Sequence, residues 1–237
     1  TDNTIVSDNN KCFHKSDLDC LQDIINVNKS LFGFEPTEIG NQTWESGRIT
    51  TLALINTKLS ILPKSIGNVV SLQILHLDNN GLQSLPESIG KLGKLRELVL
   101  DENQIQTLPA SLGNLINLRG LSMDNNNLIT LPENIGSLKN LRELYLNYNQ
   151  ITSLPESFGN LKKLEILLIY YNKLTSLPQS IGNLNNLQVL YSSNNQITSL
   201  PKSIANLNSL HKLWISSNKL TTLPISLCEL PTDCDIN

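Results

Sequence analysis

Residues 72–94 read LQILHLDNNGLQSLPESIGKLGK, and the next stretch of the same length, residues 95–117, reads LRELVLDENQIQTLPASLGNLIN. Written in rows of 23 from Ile49, the chain stays in register without a gap for eight rows, as far as residue 232. A fixed period of about 20–50 residues is typical of a solenoid, in which each row forms one coil and stacks on the next. The sequence therefore predicts eight stacked coils over residues 49–232.

The columns of this alignment indicate what each position does. Apolar residues recur at row positions 1, 4, 6, 11, 14, 18 and 21, and we expect them to point inward, because one coil alone buries too little apolar surface to fold. Position 9 is Asn in seven rows, where its amide can satisfy backbone groups left unpaired at a bend. Position 15 is Pro in all eight, which fixes φ before a short convex segment. Ser192 breaks the apolar column at position 6, so we expect a weak point in the core there.

The row pattern LxxLxLxxNxLxxLPxxIGxLxx resembles the leucine-rich repeats of Ras-pathway scaffolds, LAP-type polarity proteins, plant intracellular Ras-group proteins and many bacterial proteins. The resemblance covers residues 49–232 of 237. It implies an α/β solenoid: a right-handed horseshoe with a parallel β-sheet on its concave face, a helical N-terminal cap and a short C-terminal cap. It implies a class of function, binding of another macromolecule, and no particular partner.

The two ends have the composition of caps. Residues 1–48 hold four of the six Phe and Trp residues of the chain, and residues 225–237 form a C-terminal cap that overlaps the last repeat. Ser16, followed by Asp19 three positions later, can begin a helix that seals the first coil. The apolar residues that recur at helical spacing within it are Leu18, Leu21 and Ile25.

The four cysteines lie near the two ends, as Cys12, Cys20, Cys228 and Cys234. Eight coils at about 4.8 Å each separate the ends by about 35 Å, so only Cys12–Cys20 and Cys228–Cys234 can form disulfides. One bridge in each cap is typical of an exported protein. Four reduced thiols in a cytosolic protein are the alternative. A zinc site at Cys12, His14 and Cys20 is a further alternative, although it lacks a fourth ligand.

Row positions 2, 3, 5, 7 and 8 lie on or beside the strand and face away from the core, so they should cover the concave surface. All five tyrosines fall at these positions in rows five to seven. Tyr and Trp are enriched at interface hot spots, so we expect a binding patch; the alternative is a ladder that only stabilises the sheet. The predicted ligand-binding residues are Tyr145, Tyr148, Leu168, Tyr170, Tyr171, Tyr191 and Trp214.

Two charged columns cross the N-terminal half of the same face. Like charges one strand apart repel each other, so each column is a possible binding rim for a ligand of opposite charge. The alternative is two solvated rims screened by salt, and a cation on the acidic column would find few converging oxygens. The residues are Arg96, Arg119 and Arg142 at position 2, and Asp78, Asp101 and Asp124 at position 7.

Composition argues against several other functions. The net charge is −3, with 18 basic and 21 acidic residues interspersed, which offers no basic stripe for nucleic acid. No apolar run approaches the roughly 20 residues of a membrane span. His14, His76 and His211 are too far apart in a solenoid to share a catalytic site, and no phosphate-binding loop or HExxH helix occurs. We therefore expect no enzyme, no cofactor and no metal.

The sequence thus predicts a non-catalytic recognition module that is exported or displayed at the cell surface. We expect it to bind a host or neighbouring-cell protein or glycan through its concave face. The stretch TWESGRITTLAL also resembles the junction between N-terminal cap and first strand in extracellular plant-type and some bacterial repeats. The alternatives are a cytoplasmic scaffold of signalling proteins and the substrate-recognition domain of a larger effector.

Overall fold

The computed structural model describes residues 4–6, 12–231 and 235–236. Successive rows each contribute one short strand to a single sheet of ten strands, in which β3 pairs antiparallel with β4 and every later neighbour pairs in parallel. The predicted solenoid with a parallel sheet is therefore confirmed. The strands of this sheet are β3 (Asn41–Glu45), β4 (Arg48–Ala53), β5 (Ile74–His76), β6 (Glu97–Val99), β7 (Gly120–Ser122), β8 (Glu143–Tyr145), β9 (Ile166–Leu168), β10 (Val189–Tyr191), β11 (Lys212–Trp214) and β12 (Asp235–Ile236).

On the convex side, each coil contains a 3₁₀ helix of five residues, after which the chain returns to the sheet. The Pro at position 15 stands directly before each one and holds φ near its preferred value, as at Pro63 (φ −71°) and Pro224 (φ −64°). Segments this short favour the tighter 3₁₀ form over a regular α-helix. The 3₁₀ helices are Lys64–Asn68, Glu87–Lys91, Ala110–Asn114, Glu133–Ser137, Glu156–Asn160, Gln179–Asn183, Lys202–Asn206 and Ile225–Glu229.

The glycines at position 19 are explained by the close approach of neighbouring coils. A Cβ added to Gly67 would lie 2.6 Å from the carbonyl oxygen of Ser88 in the next coil and 2.8 Å from its Cβ. Such distances are too short for any side chain, so glycine lets the 3₁₀ helices stack.

One continuous cluster of buried apolar side chains runs through the coils, from Cys20 in the N-terminal part to Leu230. The predicted inward columns form it, with exceptions at the end of the solenoid, where Leu223 at position 14 is 56% exposed. Ser192 is fully buried, and its hydroxyl has no hydrogen-bond partner among the described residues. Its burial agrees with the sequence pattern, and the expected loss of stability stays a prediction.

The asparagines at position 9 join successive coils at the bend. The Asn103 side chain accepts a hydrogen bond from the Leu82 N–H at 3.0 Å and donates to the carbonyls of Leu77 (2.9 Å) and Leu100 (3.0 Å). The same pattern recurs from Asn126 to Asn218. The predicted role of this column is confirmed.

The N-terminal part begins with a two-stranded antiparallel sheet of β1 (Thr4–Val6) and β2 (Cys12–His14), followed by α1 (Lys15–Val27). The predicted cap residue of α1 was wrong. His14 is the N-cap, because β2 holds it extended and its Nδ1 accepts from the Ser16 N–H at 3.4 Å. Asp19 instead pairs with Lys15 at 2.7 Å. Of the predicted apolar residues of α1, Leu21 and Ile25 are buried and Leu18 is half-buried.

Two buried polar side chains fasten α1 to the first coil. Asp17 is fully buried, accepts from the Ile49 N–H at 2.9 Å and pairs with the Arg48 guanidinium at 2.9 Å. Asn28, at the end of α1, accepts from the Ser60 N–H at 2.9 Å. A buried charge is tolerated when it is paired and hydrogen-bonded. The cap is therefore part of the solenoid, and β3 extends its sheet by one strand.

Candidate functional site

The strands β4 to β11 pair in register, so that residues 23 positions apart become side-chain neighbours about one strand spacing from each other. Two columns of alternate strand residues face the concave side. Row position 5 carries Ala53, His76, Val99, Ser122, Tyr145, Leu168, Tyr191 and Trp214. Row position 3 carries Thr51, Ile74, Glu97, Gly120, Glu143, Ile166, Val189 and Lys212.

The C-terminal end of this face carries a stacked pair of rings. Tyr191 and Trp214 lie 4.1 Å apart with their planes within 5° of parallel. They line a depression of about 400 Å³ together with Leu168 and Tyr170. Its rim is completed by small polar residues that sequence analysis did not single out, namely Ser193, Asn194 and Ser216.

A second group of rings lies beside the ends of the strands. Tyr148 and Tyr171 stack at 4.7 Å with an interplanar angle of 10°, and Tyr170 meets them edge-on at 5.4 and 5.8 Å. Because Tyr170 also lines the depression beside Tyr191, the two groups are joined. We call the joined set the aromatic cluster: Tyr148, Leu168, Tyr170, Tyr171, Tyr191 and Trp214.

The backbone under Tyr148 and Tyr171 is left-handed, with φ of 52° at both. Row position 8 has positive φ in every repeat, because the chain bends there. Asn is the non-glycine residue that best tolerates this conformation, whereas a bulky side chain is disfavoured in it. The remaining residues at position 8 are Asn56, Asn79, Glu102, Asn125, Asn194 and Ser217. The two tyrosines thus occupy strained positions while their rings are 45% and 48% exposed.

Tyr145 stands apart from the aromatic cluster. Its hydroxyl donates to a carboxylate oxygen of Glu143 at 2.8 Å, and its ring lines a neighbouring hollow. Partial burial, reinforced by the hydrogen bond and charge of Glu143, raises the pKa of Tyr145 to about 12. Tyr145 thus lines this hollow, whereas its neighbour on the next strand, Leu168, lines the depression. Ligand binding by these seven residues stays a prediction.

Two carboxylates of the acidic column are not available to a ligand, because each one accepts hydrogen bonds from the next coil toward the C-terminus. A carboxylate oxygen of Asp101 accepts from the Asp124 N–H at 2.7 Å and from the Ser122 hydroxyl at 2.6 Å. Asp124 in turn accepts from the Asn147 N–H at 2.7 Å, and Asn147 from the Tyr170 N–H at 3.1 Å. These side chains accept hydrogen bonds from backbone N–H groups of the next coil. Among the described residues this ladder begins at Asp101, so Asp78 is outside it.

The carboxyl group of Asp124 illustrates the cost of this arrangement. Burial raises its pKa above the usual range, hydrogen bonds from Asn147 oppose the rise, and the nearby charge of Asp101 adds to it. A raised folded-state pKa means that the stabilising contribution is present at low pH and is lost as pH rises through that pKa. The ionised Asp124 carboxylate therefore works against folding at neutral pH.

The arginine column borders a hollow of about 450 Å³ centred on Gly120, which the sequence analysis did not single out. We call it the arginine hollow, and define it by Arg96, Arg119, Arg142, Glu97, Gly120 and Glu143. Arg142 pairs with Glu165 at 2.7 Å. In the described part of the chain, the side chains of Arg96 and Arg119 make no ion pair or hydrogen bond.

The predicted Cys12–Cys20 disulfide is not formed, and Cys12, Cys20 and Cys228 are free thiols. The physical reason is the direction of α1, which turns Cys20 into the core beside Ser65, while Cys12 is exposed on β2. Burial raises the pKa of the Cys20 thiol to about 12, so it is unreactive. Cys234 lies outside the described residues, and so does the predicted Cys228–Cys234 bridge.

The histidines are also separated. His14 caps α1, His76 pairs with Glu97 at 2.9 Å, and His211 lies in the last repeat. Within residues 12–231, His, Cys, Asp and Glu side chains nowhere gather in a group of three that could hold a metal ion. The described helices include none with the length and apolar character needed to cross a bilayer.

Two models of protein families match the chain. One, described as a leucine-rich repeat region, matches residues 48–123 and 106–196, and a second, described as a leucine-rich repeat, matches residues 186–207 and 209–230. Proteins with such repeats are typically non-catalytic recognition modules. A search of curated proteins found no match.

Solved structures with the same fold include bacterial and plant proteins. A leucine-rich repeat protein of Leptospira interrogans is 40% identical with a TM-score of 0.72, covering 76% of this chain and 46% of that one. An internalin of Listeria monocytogenes is 25% identical with a TM-score of 0.67, covering 81% and 54%. The ectodomain of an Arabidopsis thaliana receptor kinase, solved in complex with CASPARIAN STRIP INTEGRITY FACTOR 2, is 25% identical with a TM-score of 0.63, covering 86% and 28%. The chain thus spans about half the length of the bacterial structures or less.

Proposed function

The chain belongs to the leucine-rich repeat proteins, and from the geometry of its concave face we propose that it is a non-catalytic module that binds a protein ligand through the aromatic cluster. Two stacked ring pairs, one exposed and one partly exposed, and an apolar depression give this surface a large, rigid, amphipathic area. Such rings lose few rotamers on binding and dominate interface energies elsewhere. A glycan that stacks on the same rings is the second ligand class that this chemistry would accept.

One observation carries the proposal: Tyr148 and Tyr171 have a left-handed backbone conformation, at a row position that is Asn in four other repeats. The fold does not need rings there, because equivalent bends form without them. Backbone strain of this kind persists where it contributes to function. A ladder that merely stabilised the sheet would place its rings on the strands, as Tyr191 and Trp214 do, and would avoid position 8.

We further propose that the protein is exported and acts at a cell surface or on a host. Support comes from its likeness to a Leptospira protein and a Listeria internalin. The free thiols of Cys12 and Cys20 favour the alternative of an intracellular scaffold. Fractionating cells of the native source separates the two. Protein in an extracellular or cell-surface fraction is expected, and protein confined to the cytoplasm would contradict export.

The binding site is tested with peptides selected by display on the wild-type protein. Truncating a ring at the centre, Tyr170→Ala or Tyr191→Ala, should weaken binding of these peptides by about 30-fold, or about 2 kcal/mol. Val99→Ala is the matched control, because Val99 holds the same row position as Tyr191 in a repeat without rings. Its affinity should be unchanged.

Calorimetry on folded variants decides the result. Normal affinity of the selected peptides for the combined Tyr145→Ala, Tyr170→Ala and Tyr191→Ala variant would contradict the proposal. Recognition would then have to lie on the convex side or at the charged columns. A glycan array probed with the same variants shows whether a sugar binds in place of a peptide.

A further inference from the structure

The arginine hollow exists because Gly120 lacks a side chain. Row position 3 carries a side chain in the other seven repeats, and a Cβ added to Gly120 would meet only the Glu97 side chain, at 3.9 Å. Nothing crowds the position, and its φ is not in the left-handed region that favours glycine. Glycine weakens a strand, and within strands it marks sites where a ligand or another backbone comes close. The opening is thus unexplained by packing or by backbone geometry.

The acids that line the hollow hydrogen-bond to neighbouring side chains, whereas two of its arginines are available to an anion. Glu97 pairs with His76 at 2.9 Å, and Glu143 accepts from the Tyr145 hydroxyl at 2.8 Å. Arg96 and Arg119 border the opening, one strand apart, without a partner among the described residues. Two guanidinium groups this close repel unless an anion lies between them. A carboxylate fits this arrangement, since arginine binds it with two parallel hydrogen bonds.

The hollow and the aromatic cluster lie on the same face of the sheet. Gly120 on β7 and Tyr191 on β10 are three strand spacings apart across the sheet and two residues apart along the strands, which together is about 16 Å. An extended chain advances about 3.3–3.6 Å per residue, so about five residues span the distance. Tyr145 on β8 lines the hollow and its neighbour Leu168 on β9 lines the depression, so the two sites adjoin.

From this spacing we propose that the ligand is an extended peptide segment of a protein partner that crosses the strands. It places an acidic side chain in the arginine hollow and, about five residues away, an aromatic side chain in the depression beside Tyr191 and Trp214. The inference rests on the proposed function and adds to it the chemistry and spacing of the ligand.

The test uses synthetic peptides in which one aspartate and one tryptophan are separated by one to six glycines, made in both chain directions. Binding is measured by NMR titration. In one direction, affinity should be highest at about four glycines. It should exceed that of an equimolar mixture of the two blocked amino acids by on the order of tenfold or more, because linkage raises the effective concentration of the second group.

Three variants identify the site. Gly120→Val fills the hollow without changing its charge and should remove the dependence on spacer length, leaving only the affinity of the tryptophan. Arg119→Ala should do the same. Lys173→Ala is the control for loss of a positive charge, since Lys173 lies outside the hollow and hydrogen-bonds to Gln150, and it should change the affinity by less than about threefold.

The outcomes separate this inference from the proposed function. An affinity that does not vary with spacer length, or peptides that fail to bind at millimolar concentration, would overturn the inference. The inference would also be overturned if the affinity of display-selected peptides falls in Tyr191→Ala but is unchanged in Gly120→Val. That result would leave the proposed function intact. Selected peptides that depend on neither would contradict both.

Discussion

Replacing Tyr148 or Tyr171 by Asn should cost little stability, whereas replacing either by Ala should cost more. Both substitutions delete a stacked ring, so they remove the same contacts. They differ in the backbone, because Asn tolerates the left-handed φ of 52° that Ala resists. Tyr→Asn variants should nevertheless lose affinity for display-selected peptides, since binding depends on the ring.

The magnitudes follow from the contacts at Tyr148. Its ring stacks on Tyr171 at 4.7 Å and meets Tyr170 edge-on at 5.4 Å. At an exposed surface each contact contributes about 0.5 kcal/mol, so deleting the ring lowers the free energy of unfolding by about 1 kcal/mol. Asn recovers about 1 kcal/mol of backbone strain. We therefore expect no net change for Tyr148→Asn and a loss of about 1 kcal/mol for Tyr148→Ala.

Urea denaturation followed by tryptophan fluorescence measures both variants. Glu102 provides a control at the same row position without stacking, and Glu102→Asn should be more stable than Glu102→Ala by a similar amount. Tyr145 provides the opposite control on a strand, where Asn should be no better than Ala. Equal stability of the Asn and Ala variants at both Tyr148 and Glu102 would refute the argument from backbone strain.

Three further changes test the fold. Ser192→Ala removes a buried hydroxyl without a partner and should raise the free energy of unfolding by about 1 kcal/mol; a decrease would mean that the hydroxyl is bonded. Gly67→Ala should destabilise by about 2 kcal/mol or more because its Cβ meets the next coil, while Gly93→Ala, with open space around it, should be neutral or stabilising. Asp101→Asn should lower the pKa of Asp124, measured by NMR of the carboxyl carbon, since it removes a neighbouring negative charge; an unchanged pKa would leave burial as the only cause.

The solenoid could be predicted because its constraints repeat in the sequence. Asn103 and its equivalents recur every 23 residues since each bend leaves the same backbone groups to satisfy. Gly67 recurs in the first six rows for a similar reason, as each of these coils approaches the next one closely. Register then places Tyr191 next to Trp214 with no further information. Residue spacing alone was sufficient for these features.

The remaining features depend on information that spacing does not carry. The Asp column was considered either a possible binding rim or a solvated one, yet Asp101 and Asp124 accept hydrogen bonds from backbone N–H groups, because side-chain rotamers decide which partner an oxygen reaches. The left-handed backbone at Tyr148 is detectable only by noticing that Asn fills most other rows at that position. The N-terminal cap contains no repeat, so residue spacing could not identify the N-cap of α1. His14 is the N-cap in place of Ser16, because β2 holds it in an extended conformation.

A solenoid allows strain at a binding site because each coil contacts only its neighbours. The cost of left-handed Tyr148 and Tyr171 falls on two adjacent coils, and the continuous core on either side is unaffected. Asp17 fastens the far end of the stack, several coils away from these rings. Changes at the two places share no contacts, so their effects on the free energy of unfolding should add. The concave surface can therefore change its ligand chemistry row by row while the columns of Leu, Asn and Gly maintain the fold.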